Sequence, residues 1–192
     1  MYYKTETEFQ YAPVILKNIA DLPGGLMVDD TEYVGDEIRE GSIMGKGSDG
    51  LAHLIKTVAM QDSATDSATA LKTLKNHEFK VGDFIGKLTD ATRAAYAITD
   101  IDTSNADYDT ITIGTTLGIA MTAGDVLVQC LAESADAAVL KYTPKGISTR
   151  TASLKMLNQP TGIMIIGVVN SSTMPHAYDA TLKALIPDIH FE

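Results

Sequence analysis

The sequence predicts a mainly β protein: a compact barrel or sandwich with duplicated β-units, one short C-terminal helix and an extended N-terminal arm. Three observations carry that expectation. Apolar and polar residues alternate with period two in Thr110-Ile111-Thr112-Ile113 and in Val126-Leu127-Val128-Gln129-Cys130-Leu131, so alternate side chains face one side of a sheet. Ile163-Met164-Ile165-Ile166-Gly167-Val168-Val169 is almost continuously apolar, as expected of a strand covered on both faces. A Gly-Asp pair followed by two apolar residues recurs at Gly82-Asp83 and Gly124-Asp125, with an echo at Gly35-Asp36-Glu37-Ile38.

Taken in chain order, residues 1–30 show no helical spacing, and Pro23-Gly24-Gly25 interrupts them. They read as an extended arm with room for one strand, followed by a β-rich domain over 31–192. Such an arm cannot bury its own apolar surface, so Tyr2, Tyr3, Phe9, Tyr11, Val14, Ile15 and Leu16 are the expected assembly contacts. Gly45-Lys46-Gly47-Ser48-Asp49-Gly50 has the composition of a phosphate-cradling loop but not the G-x-x-x-x-G-K-[ST] spacing, and reads as a flexible surface loop.

From Asp62 a duplication emerges. Asp62–Lys72 leads to Phe79–Ile85, and Asp102–Thr112 leads to Met121–Leu127. In both copies a turn rich in Asp, Ser or Asn precedes an alternating strand, a loop and then Gly-Asp. Two copies suggest paired β-units; a solenoid would need three or more. Ala91–Ala97 and Ser134–Leu140 are alanine-rich enough to be helical but too short to be stable alone. Asp179 can cap a helix over Ala180–Ile186 that Pro187 stops. Asp188-Ile189-His190-Phe191 then reads as a closing strand.

The chain has 192 residues, 45% of them hydrophobic and 21% charged, which is enough to bury a core. A formal net charge of −10 without a cluster of Lys or Arg argues against direct nucleic-acid binding. Cys130 stands alone, so neither an intramolecular disulfide nor a cysteine zinc cage is expected; it reads as a small buried hydrophobe. The first residues lack the apolar core of a signal peptide, and no apolar run is long enough to cross a bilayer. A soluble product made in a cytoplasm, without a membrane partner, is the expectation.

Catalytic signatures are missing. Asp100, Asp102, Asp107 and Asp109 begin like a calcium loop, but the required Gly and terminal Glu are absent, so they read as Asx turns. His53, His77, His176 and His190 have no metal-ligand spacing, and no G-x-S-x-G or G-x-G-x-x-G occurs. Nothing selects a glycosidase pair among the carboxylates. Neither an enzyme, a cofactor nor a metal is therefore expected. The Gly of each Gly-Asp would supply φ > 0 at a tight turn, and the Asp would hydrogen-bond the turned backbone. No His, Lys or second carboxylate recurs beside the three pairs.

"FKVGDFI", "AITDIDTSNADYDTITIGTTLGIAMTAGDVLVQ", "KYTPKGI" and "TMPHAYDATLKALIPDIHF" together resemble tailed-phage head decoration and head fibre proteins, carried by phages and prophages of gut bacteria. The resemblance spans about Lys80 to Phe191, more loosely from Ser63, and leaves the N-terminal segment up to Met60 outside it. It implies a mostly β virion protein on the capsid exterior, commonly a homotrimer, with the major capsid protein as partner and no enzymatic residues. An adhesion module that binds glycans is the alternative, with Tyr96, Tyr108 and Tyr142 as its exposed aromatic cluster. The absence of Trp weighs against it.

Overall fold

A computed structural model describes residues 12–88, 93–155 and 159–192. Its strands are β1 (Ile15–Asp21), β2 (Leu26–Met27), β3 (Glu37–Ile38), β4 (Ile43–Lys46), β5 (Ala52–Leu54), β6 (Thr57–Ala59), β7 (Ala70–Thr73) and β8 (Phe84–Gly86). They continue with β9 (Ala95–Asp102), β10 (Asp109–Ile113), β11 (Val126–Cys130), β12 (Thr143–Ser148), β13 (Ala152–Ser153), β14 (Pro160–Thr161) and β15 (Ile163–Val169). A short 3-10 turn at Ser171–Thr173, helix α1 (Ala180–Leu185) and β16 (Ile189–Phe191) complete the chain. The mainly β class with one short C-terminal α-helix is as the sequence predicts.

The duplicated segment forms a barrel. Its six strands run in the order β6-β11-β8-β9-β10-β7. The ring closes where Met60 pairs antiparallel with Thr73, with Gln61 N donating to Lys72 O and Leu74 N to Ala59 O, each at 2.9 Å. An even strand number lets every neighbour run antiparallel, so closure leaves no open edge. The two copies meet strand to strand: β7 pairs with β10, and β8 with β11. Strand β9 bridges them by pairing with β8 on one side and β10 on the other. Inside, Val58, Leu71, Ile85, Ile98, Ile111, Ile113 and Leu127 form one cluster to which every barrel strand contributes.

A second sheet runs β1-β15-β12-β4-β5, with β16 parallel to β15. It packs on the outside of the barrel. Val126, Val128 and Cys130, on the opposite face of β11 from Leu127, join Ile43, Ile147, Met164 and Val169 from the second sheet. Helix α1 adds Leu182 to that core, and Ile186 follows from just beyond its end. Asp179 caps the helix as expected, its Oδ1 accepting from Leu182 N at 2.8 Å. Cys130 is the small buried hydrophobe anticipated, and burial pushes its thiol up to about 12.

Three expectations need correction. Residues 15–21 belong to the second sheet and not to a free arm: β1 pairs with β15 from Ile15↔Val169 to Asp21↔Met164. The long apolar β15 needs neighbours on both edges to satisfy its backbone, and β1 is one of them. Farther on, β2 pairs with β14 and Val28 bridges to Ala52, so the change at residue 30 marks no structural boundary. Second, the alanine-rich stretches are not helical where they are described. Residues 95–97 open β9, and residues 134–140 are tied to strands by the bridges Ala95↔Ser134, Arg93↔Ala137 and Cys130↔Leu140. Alanine here permits close approach: Ala94 and Ala95 crowd Gly86, where an added Cβ would collide with Ala94 O. Third, Gly45 and Lys46 lie in β4, and Gly47–Gly50 is a tight turn closed by Gly47 N to Leu51 O at 3.0 Å, in place of a loose loop.

Two outcomes follow from this core. Ile98→Ala in the barrel interior is expected to lower the unfolding free energy by about 2–5 kcal/mol in urea titration. Cys130 is expected to react with a thiol reagent only once the chain is unfolded, with the reagent's absorbance change tracking the loss of structure.

Candidate functional site

Two of the three Gly-Asp pairs make the turn that the sequence suggests. Gly82 and Gly124 have φ of 94° and 88°. Each Asp accepts from the backbone N–H that opens its turn: Lys80 N to Asp83 Oδ2 at 3.0 Å, and Thr122 N to Asp125 Oδ2 at 2.8 Å. The third pair differs. Gly35 does not have a positive φ, and its N–H and that of Val34 donate to Glu78 Oε2 at 3.1 and 2.6 Å. Gly35-Asp36 shares the letters of the repeat without its geometry.

Folding also brings each Asp a lysine that no local spacing announces. Lys56 Nζ lies 2.9 Å from Asp83, Lys87 Nζ 2.8 Å from Asp125, and Lys155 Nζ 3.0 Å from Asp36. Lys56, Asp83 and Gln129 each stand two residues from Val58, Ile85 and Leu127, and so share their face toward the barrel interior. There Gln129 Nε2 donates to Asp83 Oδ1 at 2.8 Å. Lys87 and Asp125 occupy the opposite end of the β8–β11 pair. Burial raises the Asp125 carboxyl, but Lys87 and the Thr122 N–H outweigh it and hold it below the usual range. Asp83 has protein donors on both carboxylate oxygens and Asp125 has two on Oδ2, which suits a structural role.

Of the arm residues, Tyr2, Tyr3, Phe9 and Tyr11 lie outside the described residues. Val14 packs on Gly41, where any Cβ would collide with it, and Ile15 packs against the core between sheet and barrel. Leu16 is different: it is 44% exposed, and Ile19 on the same strand is 58% exposed. Strand β1 lies at the end of its sheet, with no strand beyond it among the described residues.

A second concentration of chemistry surrounds His53, whose side chain is only 3% exposed. Its Nε2 faces the Asp49 carboxylate at 3.1 and 3.2 Å. Its Nδ1 lies 3.5 Å from both Asp29 Oδ2 and Glu32 Oε2, and neither contact is a hydrogen bond. The Tyr142 ring stacks on the imidazole at 4.0 Å. Glu32 Oε1 accepts from Lys141 Nζ at 2.6 Å and Tyr142 Oη at 2.7 Å. Burial raises the Glu32 carboxyl, yet these two donors hold it below the ordinary value. Asp49 is also lowered, first by the Leu51 N–H and then by His53. Gly47 is required here, because a Cβ would strike both the Asp49 carboxylate and the imidazole. Asp29, Asp49 and His53 each place one ligand atom within 4.8 Å of the others, a grouping that no local spacing reveals.

A pocket of about 390 Å³ lies nearby, lined by Tyr33, Arg39, Ser42, His77, Glu78 and His176 among others. Burial lowers both imidazoles, His176 to about 4. Ser42 Oγ has no hydrogen-bond partner, so neither histidine activates it as a nucleophile. The four aspartates tested for calcium do not converge on a cage. Asp102 caps Ser104 N at 2.9 Å as an Asx turn, Asn105 does the same for Asp107 N at 2.9 Å, and Asp109 binds Lys75 Nζ at 2.7 Å. The three tyrosines considered for glycan stacking have separate employment. Tyr142 covers His53, Tyr96 packs on the barrel core, and Tyr108 lies under Lys72.

No family model matches the chain, and neither does any curated protein or solved structure.

The three Asp–Lys pairs differ in burial, and their removal is expected to grade accordingly. Asp83→Ala strands the buried Lys56 and is expected to cost about 3–5 kcal/mol, Asp125→Ala less, and the exposed Asp36→Ala about 0–1 kcal/mol. Urea unfolding of the three variants measures the order.

Proposed function

We propose that the protein is a virion structural protein that decorates or projects from a phage head, acting through homo-oligomeric assembly and binding to the capsid exterior. The observation that carries this reading is strand β1. Natural sheet edges are usually short, charged or covered, because an open edge invites another strand. β1 is seven residues long and presents Leu16 and Ile19 to solvent. It follows directly on a segment containing Tyr2, Tyr3, Phe9 and Tyr11. An uncovered edge strand that exposes Leu16 and Ile19 among Lys17, Asn18 and Asp21, with an irregular register, next to a tyrosine-rich segment fits a surface that a second subunit or a capsid covers.

Two further features support the same reading. Val139 and Leu185 are exposed beside an apolar groove of about 340 Å³ that also includes Leu88, Leu140 and Pro144. The formal charge of −10 suits a protein displayed at high local density, since like charge limits nonspecific association. A closed barrel braced by a second sheet is a stiff body, which suits a role that depends on shape. The partners in this reading are two further copies of the chain and the major capsid protein.

Native mass spectrometry at micromolar concentration is expected to give a trimer, and Leu16→Asp with Ile19→Asp is expected to shift it toward monomer while the circular dichroism spectrum is kept. A clean monomer for the unmutated chain would overturn the assembly claim. Co-sedimentation with undecorated capsids of the cognate phage is the second measurement, and loss of binding in the double variant is the expected result.

A further inference from the structure

The His53 cluster has an unmet electrostatic demand. Both ring nitrogens face carboxylate oxygens: Asp49 at Nε2, Asp29 and Glu32 at Nδ1. A neutral imidazole has one N–H, so one nitrogen lone pair would be directed at an anion. Nε2 has the shorter contacts and suits the hydrogen bond to Asp49. That leaves Nδ1, buried and without a hydrogen-bond partner, 3.5 Å from two carboxylates. Glu32 Oε2 is likewise buried without a partner. With a neutral ring, three carboxylates and Lys141 leave the cluster at about −2. A bound cation, or a second proton on the ring, would offset that charge.

We propose that Asp29, Asp49 and His53 bind a divalent cation, with Glu32 as the adjoining carboxylate. Two ligands about 2.0–2.1 Å from a tetrahedral ion lie about 3.3–3.4 Å apart, close to the 3.5 Å between Nδ1 and Asp29 Oδ2. Binding would draw in the wider contacts, which are within 4.8 Å. With the ion on Nδ1, Asp49 has to swing from the Nε2 edge of the ring to ligate, and it gives up its hydrogen bond there. The carboxylates are already aimed by outer partners. Thr31 N and Oγ1 hold Asp29 Oδ1 at 3.0 and 2.7 Å, Leu51 N holds Asp49 Oδ1 at 2.9 Å, and Lys141 with Tyr142 holds Glu32. Metal sites commonly use such second contacts to orient their ligands. One imidazole with carboxylates favours zinc or manganese over calcium, which prefers oxygen alone.

The ion would join the segment at 29–32 and the β4–β5 hairpin, beside the Lys141–Tyr142 entry to β12. Its role is structural in this assignment, since its ligands are mostly enclosed. The proposal is independent of capsid binding.

The test uses tag-free full-length protein, stripped with chelator and dialysed at pH 7.5. Zinc or manganese, added separately at a hundredfold excess over its dissociation constant, is expected to raise the melting temperature by about 5–10 °C. Chelator is expected to reverse the rise, and elemental analysis after gel filtration to give one ion per chain. Asp49→Asn, in the exposed hairpin turn, should remain folded and lose at least tenfold in affinity by calorimetry; His53→Gln should abolish binding. Stripped protein whose melting temperature and ion content are unchanged by either metal would overturn the proposal and leave a proton in the role of the cation. Unaltered affinity in Asp49→Asn would overturn the ligand set.

Discussion

Five consecutive residues, Val126–Cys130, are buried, and a strand can bury every side chain only when both of its faces are covered. Leu127 faces the barrel interior, while Val126, Val128 and Cys130 face the second sheet and the helix. Strand β11 is therefore a wall shared by two cores. Its backbone is also shared, bonded to β6 on one edge and β8 on the other. Each buried aliphatic side chain on such a strand stabilises by about 1.5–3 kcal/mol. Those contributions here couple the barrel to the sheet, so neither core is complete without β11.

The barrel imposes a second requirement. Short strands leave its ends close to solvent, where an apolar interior would be open to water. The chain meets this with polar groups that continue the inward alternation: Lys56, Asp83 and Gln129 at one end of the β8–β11 pair, Lys87 and Asp125 at the other. Each turn Asp serves twice, accepting the N–H of its own corner and the charge of a distant lysine. A glycine at φ near 90° makes the corner possible, and the aspartate then connects it to another strand. The duplication is thus functional at the level of the fold. The two copies build opposite ends of one barrel, and the third Gly-Asp, at Gly35-Asp36, is outside that scheme.

The molecule has no assembled catalytic relay among the described residues. Its densest ionic cluster surrounds His53, and exposed apolar side chains stand on edge strand β1 and beside Leu185, as well as at Val34, Val81 and Leu131. In the proposed reading the protein works by holding shape and presenting surface. A structural ion at His53 would serve the first need, and β1 the second. Neither depends on the other, because His53 lies in β5 and β1 is at the opposite end of the same sheet.

Local pattern alone was sufficient for much of the fold. The period-two alternation marked β10 and β11, the apolar run marked β15, and Asp179 and Pro187 bounded the helix, because backbone geometry ties each of these to near neighbours. The duplication, and the turn at two of its glycines, were legible for the same reason. What remained hidden depends on residues far apart in sequence. Whether Ala95 belongs to a helix or a strand is decided by the close approach of Gly86. That Ile15–Asp21 is a sheet strand is decided by an edge of β15 some 150 residues later. Asp29, Asp49 and His53 come together only when a loop meets a hairpin, and Lys56 reaches Asp83 only once the barrel closes. Sequence spacing carries the geometry of one strand or one turn, whereas burial and charge pairing are set by which strands become neighbours.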